Sequence, residues 1–428
     1  MPPADPVPAA EPRKNPLRRV FGSLGPGLIT GAADDDPSGV ATYSAAGARL
    51  GTGLLWTALV TWPLMATVQM TCARIGMVTG RGLAGALRRR FRRWILVSVA
   101  VALVVANTFN IGADLLGMSD AAEMLTGLDS HWFVVLFGVG IAWATIRFRY
   151  YQIARTLKWL ALFLFAYVIA AIDVRPDWSG LLRSGFFPVI PRTREAVAVL
   201  VAILGTTISP YLFFWQASQE VEEEKAMGRR MLVRRRGASP SELAVRKLDV
   251  GVGTFFSNVV MFFIILTTAL TLHRHGITQI ETSRQAAEAL KPLAGRFAAS
   301  IYTLGLIGAG LLAIPTLSGS AAYAFAETFG WRQGLDRKLR SARYFYAVVA
   351  ASTAVGIAMD FTDVNPMKTL FLTAIVNGVL SPFLLIAILV VASDPEVMRG
   401  QPISILSRVV VGFTAFAMLA AAAGMFLF

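Results

Sequence analysis

Residues 24–47 read LGPGLITGAADDDPSGVATYSAAG, an apolar stretch of helix length with Asp34, Asp35 and Asp36 near its middle. It is long enough to cross a bilayer as a helix, and three consecutive carboxylates facing lipid would be costly there. Pro37 removes a backbone donor and steers Asp36 away from helical geometry. Proline nevertheless suits the first position of a new helix, with Asp as its N-cap. The stretch therefore reads as two half-helices meeting near Ala33–Asp36. An interfacial turn between two shorter segments is the plainer alternative, but it would leave two pieces of roughly ten residues, too short to cross. The small residues Gly31, Ala32, Ala33, Ser38 and Gly39 let neighbouring helices approach closely.

The rest of the chain is of the same kind. Its 428 residues are 55% hydrophobic and 15% charged, whereas soluble domains carry about 25% charged residues. Apolar stretches lie near 24–48, 52–76, 94–118, 132–147, 156–173, 195–219, 249–272, 298–328, 343–359, 367–392 and 404–428. Each is close to the roughly 20 residues a spanning helix needs, so the expected class is an all-α integral membrane protein of eleven spans. The net charge of +14 is unevenly placed. Most Lys and Arg fall before the first span, between Arg81 and Arg93, between Arg147 and Lys158, between Lys225 and Lys247, and between Arg332 and Arg343. The segments 113–131 and 359–366 have none. This alternation follows the positive-inside rule for a multi-pass protein of the cell inner membrane, with a cytoplasmic N-terminus and an outside C-terminus. The charge is a topology signal, and no nucleic-acid partner is needed to explain it.

Residues 1–23 are Pro-rich without an apolar core, and are expected to be a disordered cytoplasmic tail, not a signal peptide. The segments 174–194 and 273–297 are expected outer loops, the second with a short amphipathic helix (ETSRQAAEALKPL). Residues 220–247 are expected to form a charged inner linker, with Glu220, Glu222, Glu223 and Glu224 as a solvated helix end. The lone Cys72 excludes an internal disulfide and any Cys/His zinc spacing. His131, His273 and His275 all fall at outer loop positions. No nucleophile–base pair or His-containing ligand set lies in the spans, which argues against an enzyme. No obligate protein partner is evident.

The sixth span repeats the grammar of the first. Residues 198–224 read AVLVAILGTTISPYLFFWQASQEVEEE, with Ser209-Pro210 as cap and proline after Gly205, Thr206 and Thr207. Two Pro-interrupted helices, one in each half, point to a midplane site between inverted repeats. The repeats would comprise residues 24–173 (helices 1–5) and 195–392 (helices 6–10), with 393–428 supplying an inner loop and helix 11. A break frees backbone carbonyls, and a carboxylate beside them makes an all-oxygen cation site. An anion would instead use the N–H groups of the second half-helix, which Asp36 disfavours. In the third span Asn107, Asn110 and Asp114 share one helical face. They read equally well as the lining of an ion or proton route and as hydrogen bonds between helices.

Gly25-Pro26-Gly27 followed by Asp36-Pro37-Ser38-Gly39 resembles the first helix of the Nramp divalent-metal transporters, whose signature is Gly-Pro-Gly and then Asp-Pro-Gly-Asn. Ile208-Ser209-Pro210-Tyr211 aligns with their sixth-helix Met-Pro-His, and GAGLLAIPTLSGS at 308–320 is also similar. The resemblance covers roughly residues 20–428. It implies a LeuT-like inverted repeat of 5+5 helices with helices 1 and 6 broken, plus an eleventh, working by alternating access. It also implies a divalent metal ion as cargo and no cofactor. It places the family's metal-binding Asp on Asp36, the carbonyl three residues earlier on Ala33, and the sixth-helix carbonyl on Thr206.

Two family ligands are replaced, the Asn by Gly39 and the Met by Ser209. A thioether favours softer transition metals over Mg²⁺ and Ca²⁺, and Mg²⁺ usually keeps several waters. With these departures the chain resembles the Nramp-related magnesium transporter branch, which implies Mg²⁺ with Mn²⁺ also accepted. The family's sixth-helix His is Tyr211. Its third-helix Asp matches Asp114, but the Glu three residues later is Gly117, so uptake without proton coupling is expected. Asp35, Tyr211, Asp114, Asn110 and Asn107 are the expected outer lining or pathway. The rival expectations are a proton-coupled Mn²⁺/Fe²⁺ importer and, more distantly, an amino-acid transporter of the same fold.

Overall fold

The structure, a computed structural model, describes residues 25–148, 162–173, 176, 178, 193–291, 295–362 and 364–427. The expected tail 1–23, nearly all of the loop 174–194 and the start of the fifth span lie outside these residues. Every regular element described is helical. The first stretch forms α1 (Pro26–Asp34) and α2 (Pro37–Leu50), and a 3₁₀ turn leads to α3 (Trp56–Thr79). Next come α4 (Leu83–Leu87), α5 (Arg93–Thr126), α6 (Ser130–Arg147) and α7 (Ala166–Asp173). The second half opens with α8 (Arg194–Thr207) and α9 (Pro210–Ala226), then α10 (Pro240–Thr271) and α11 (Ser283–Glu288). It closes with α12 (Ala298–Phe329), α13 (Arg343–Ala358), α14 (Pro366–Ser393) and α15 (Ile405–Leu427).

Among the described residues, 8 helices or helix pairs, α8 with α9 among them, are long and apolar enough to cross a membrane. Two further spans do not pass that test as single helices: the first, assembled from α1 and α2, and the second, α3. The fifth is described only from residue 162. Large apolar side chains such as Trp62, Trp132, Leu136, Trp143, Phe383 and Phe416 are exposed on the outside of the bundle, where lipid replaces water as their solvent. Within the spans, polar side chains such as Thr61, Gln69, Asn107, Asn258 and Asn377 are turned inward.

Both broken helices fold in the same way at the break. Asp35 (φ −82°, ψ 49°) and Asp36 (φ −69°, ψ 169°) join α1 to α2. Ile208 (φ −116°, ψ 62°) and Ser209 (φ −81°, ψ 136°) join α8 to α9. In each pair a residue leaves the helix and an extended residue follows, so that a proline can start the next helix. The shared backbone path is what an inverted repeat requires of its two discontinuous helices.

The first half-helices are packed through glycine. α1 and α2 lie along α10, and α8 lies along α14. A Cβ on Gly31 would sit 2.3 Å from the Gly253 carbonyl oxygen, and one on Gly205 would sit 2.1 Å from that of Ala374. Neither position can carry a side chain without parting the helices. α9 packs on α3 and α12, and α5 packs on α12, α13 and α14. These neighbours enclose the breaks.

Two expectations need correction. The run Glu220–Glu224 is not a solvated helix end, because α9 continues through it and buries Glu220 and Glu224. The linker that follows is shorter than expected, since α10 begins at Pro240 on a capping box between Ser239 and Glu242. Hydropathy marks the apolar part of a helix, whereas the helix itself extends as far as its caps allow.

Candidate functional site

Asp36 occupies the N-cap of α2, and its Oδ1 accepts a hydrogen bond from the Gly39 amide at 2.6 Å. Its Oδ2 faces one helix of each half. Asn110 Nδ2 on α5 lies 3.2 Å from it, and the Tyr211 hydroxyl on α9 lies 3.3 Å from it. The same hydroxyl donates to the Ala33 carbonyl at 2.9 Å. A hydroxyl has one proton, and the shorter contact takes it. Tyr211 thus ties the carbonyl freed at the first break to the second broken helix.

Ser209 does the matching task at the second break. It stands at the N-cap of α9 but makes no side-chain cap bond. Its hydroxyl turns back to the carbonyls of Gly205 at 2.8 Å and Thr206 at 2.6 Å. The capping expected from Ser-Pro is therefore not made, since the freed carbonyls of α8 compete for the single proton. Nor are the carbonyls of Ala33 and Thr206 left bare. Each accepts one hydroxyl and retains a lone pair.

Gly39 is closely faced by oxygen. A Cβ there would come within 3.2 Å of the Asp34 carbonyl and of Thr206 Oγ1, and within 3.4 Å of Asp36 Oδ1. Thr206 Oγ1 is buried with no hydrogen-bond partner among the described residues, as is Asn110 Oδ1. A cation beside Asp36 would favour the Asn110 amide turned over, with its oxygen as ligand. Asp114, one turn beyond Asn110, is buried beside Asp36, its carboxylate turned toward the Ser38 amide but, among the described residues, short of a full hydrogen bond. Ala33, Asp36, Asn110, Asp114, Thr206, Ser209 and Tyr211 are all at most 1% exposed. The constellation is closed from both sides in this structure.

Other expected residues separate from this group. Asn107 donates to the Leu317 carbonyl at 2.9 Å and to Ser320 at 2.8 Å on α12, a bond between helices and not a lining. Asp34 and Asp35 turn to α10, where the Ser257 hydroxyl meets Asp34 at 2.6 Å and Asp35 at 3.2 Å. Among the described residues no group of three His, Cys, Asp or Glu is placed to hold a metal. Around Asp36 stand neutral oxygens and an amide, with a second carboxylate, Asp114, close by. Such a set suits an ion in transit better than a tightly held one.

An ion-pair network that the sequence did not suggest lies at the start of α1. Arg246, 8% exposed at its side chain, meets Glu220 at 2.8 Å, Asp249 at 2.5 Å and Glu223. Asp249 in turn accepts the amides of Gly25 and Gly27, each at 2.8 Å, capping α1 from another helix. Thr30, Gln216 and Glu220 complete the chain of bonds from α1 to α9. The available signal was Asp249 opening an apolar run with Arg246 three residues before it, a spacing at which helical side chains pair.

Comparison with known proteins agrees with this architecture. The sequence model of the family described as Natural resistance-associated macrophage protein-like matches residues 27–428. The chain is 28% identical over 387 residues to the Divalent metal cation transporter MntH of Yersinia pestis (strain Pestoides F), covering 88% of this chain and 89% of that one. It is 26% identical over 423 residues to the MntH of Aeromonas hydrophila, covering 93% and 95%. Among solved structures, a manganese transporter of Eremococcus coleocola superposes with a TM-score of 0.73 at 16% identity, over 96% of this chain and 87% of that one. Mhp1, a nucleobase-cation-symport-1 family transporter, shares the LeuT-like fold more distantly, with a TM-score of 0.55 at 15% identity, over 94% and 92%.

Proposed function

The chain belongs to the Nramp family, and from that premise we propose that it carries divalent metal ions across a membrane, Mg²⁺ with Mn²⁺ also accepted, by alternating access and without proton coupling. The observation that carries this reading is the chemistry around Asp36. Ser209 stands where the family has a thioether, and its hydroxyl joins the Ala33 and Thr206 carbonyls and Thr206 Oγ1 in an oxygen donor set. Hard oxygen ligands suit Mg²⁺ and Mn²⁺, and neither ion needs a thioether. Asp36 supplies the charge, and Ala33, Thr206, Ser209 and Gly39 surround the ion or its waters.

The absence of coupling is supported by packing at Gly117. A Cβ there would meet Leu370 Cδ1 at 2.7 Å, so a leucine from α14 fills the place of the family's acidic side chain. Tyr211, in the position of the family's His, is a phenol that ordinarily keeps its proton near neutral pH. An inside-negative potential of 100 mV contributes about 4.6 kcal/mol for each divalent ion, enough to drive uptake alone. With the arginine-rich loops cytoplasmic, the N-terminus lies inside and the C-terminus outside an inner membrane.

A second reading, a proton-coupled manganese importer, is favoured by one observation, the carboxylate of Asp114 fully buried beside that of Asp36. The two are separated by measuring Mg²⁺, Mn²⁺ and Cd²⁺ influx into proteoliposomes while following internal pH. Saturable Mg²⁺ and Mn²⁺ entry that follows the potential, without internal acidification, is the expected result. Cd²⁺ and Mn²⁺ entry with acidification, and Mg²⁺ excluded, establishes the importer instead.

Ser209→Met tests the ligand argument directly. The Cd²⁺ to Mg²⁺ preference is expected to rise by about tenfold, the scale of one changed contact worth about 1.4 kcal/mol. Competition of Cd²⁺ against Mg²⁺ influx measures it, and an unchanged ratio removes Ser209 from the ion's surroundings.

A further inference from the structure

Two cavities flank the end of α9 and differ in sign. One, about 630 Å³, borders the start of α1 and is lined by Glu220, Glu223, Glu224 and Glu242, with Arg229 and Arg246. The other, about 890 Å³, lies between α4, α9 and the loop after α12. Its lining includes Arg81, Arg88, Arg230, Arg235, Arg332 and Arg337, against only three carboxylates.

Most of the opposing charge in the second cavity is already committed. Glu327 accepts the amides of Gly82 and Gly85, both at 2.8 Å, and the Gln333 amide. Glu222 pairs with Lys225. Arg235 is committed as well, to the carbonyls of Gly80, Arg229 and Arg230. The other five guanidiniums form no ion pair with any described residue. They come from three separate connections: Arg81 and Arg88 from that between α3 and α5, Arg230 from that after α9, and Arg332 and Arg337 from that after α12.

The positive-inside rule accounts for arginines on this face of the membrane. It does not account for their convergence, unpaired, around one concavity, where like charges repel at low effective dielectric. The Arg81 guanidinium is held below its ordinary pKa, by burial first and then by Arg236 and Arg89 beside the cavity and Arg88 within it, with Glu327 opposing.

We propose that this cavity binds a phosphate-bearing anion. Guanidinium forks match phosphate oxygens two at a time, and the volume is that of a small-molecule site, larger than one phosphate needs. The same chemistry is presented by a soluble polyphosphate and by the headgroup of an acidic phospholipid. Because α9 borders both this cavity and the Asp36 constellation, the anion fastens one broken helix to the loop after α12. The inference stands whichever metal ion is carried.

The test uses the full chain purified in uncharged detergent without divalent ions. Pyrophosphate binding is measured by calorimetry, and retention of phosphatidylglycerol against phosphatidylcholine by native mass spectrometry. The wild type is compared with the double variant Arg332→Gln/Arg337→Gln and the charge-keeping Arg332→Lys/Arg337→Lys. Both residues are exposed, so ligand-free melting should stay that of the wild type. The Gln variant is expected to bind about tenfold more weakly or worse, the scale of a lost charge-assisted contact, with the Lys variant between. Pyrophosphate binding assigns the cavity to a soluble phosphate compound, and selective phosphatidylglycerol retention assigns it to a lipid. Equal binding by all three proteins, or no binding of either probe at millimolar concentration, overturns the proposal.

Discussion

Mg²⁺ influx into proteoliposomes is expected to fall about 30-fold or more when Asp36 is replaced by Asn, because losing one partner of a desolvated charge contact costs about 2–5 kcal/mol at about 1.4 kcal/mol per decade. The substitution is chosen to remove charge and little else. Asn is as good an N-cap as Asp, so the bond to the Gly39 amide and the start of α2 persist. The carbonyls of Ala33 and Thr206 also remain, held by Tyr211 and Ser209. If the carbonyls and waters were the main ligands, influx would survive, and unimpaired Mg²⁺ entry would sink the assignment of Asp36. Mn²⁺ is expected to suffer equally, since both ions meet the same carboxylate.

Arg246→Ala is expected to destabilise the protein by about 3–5 kcal/mol, the range for breaking a buried ion pair by removing one partner. Three carboxylates, Glu220, Glu223 and Asp249, converge on this one guanidinium. Asp249 also holds the amides of Gly25 and Gly27, so the loss reaches the first turn of α1. Thermal unfolding in detergent measures the first effect. The second is read by alkylating a cysteine placed at Ile29, which lines the cavity beside that turn. The only native thiol, Cys72, is fully buried and gives little background. Faster labelling in the Arg246→Ala background is expected. Arg246→Lys should lie between, because an ammonium cannot address three carboxylates from a fixed fork. Wild-type melting together with wild-type labelling would show that the network holds nothing.

The spans were legible in the sequence because hydrocarbon thickness sets the length of an apolar run. Their ends were less so. α5 continues to Thr126 through DAAEML, which favours helix but is not apolar, and α10 starts nine residues before its apolar run. The breaks were legible because proline after Asp36 and Ser209 admits few backbone paths. What lay across each break was not. Nothing local to Tyr211 says that its hydroxyl reaches Ala33, and nothing local to Ser209 says that it abandons its cap for two carbonyls. Such bonds depend on a partner helix more than a hundred residues away or on competition within a turn. Asn107, Asn110 and Asp114 share one helical face, yet Asn107 serves α12 while Asn110 serves Asp36. A shared helical face is too coarse to divide those roles.

At Gly31 backbone lies directly on backbone where α1 crosses α10. Interlocked side chains resist sliding, because each must be lifted past its neighbour before the helices can shift. The smoothness here is local. Register between the two helices is kept instead on either side of the crossing, where Asp249 holds the Gly25 and Gly27 amides and Ser257 holds Asp34. α1 is pinned at both ends and bare between, so a single methyl at Gly31 is a wedge driven between the pins.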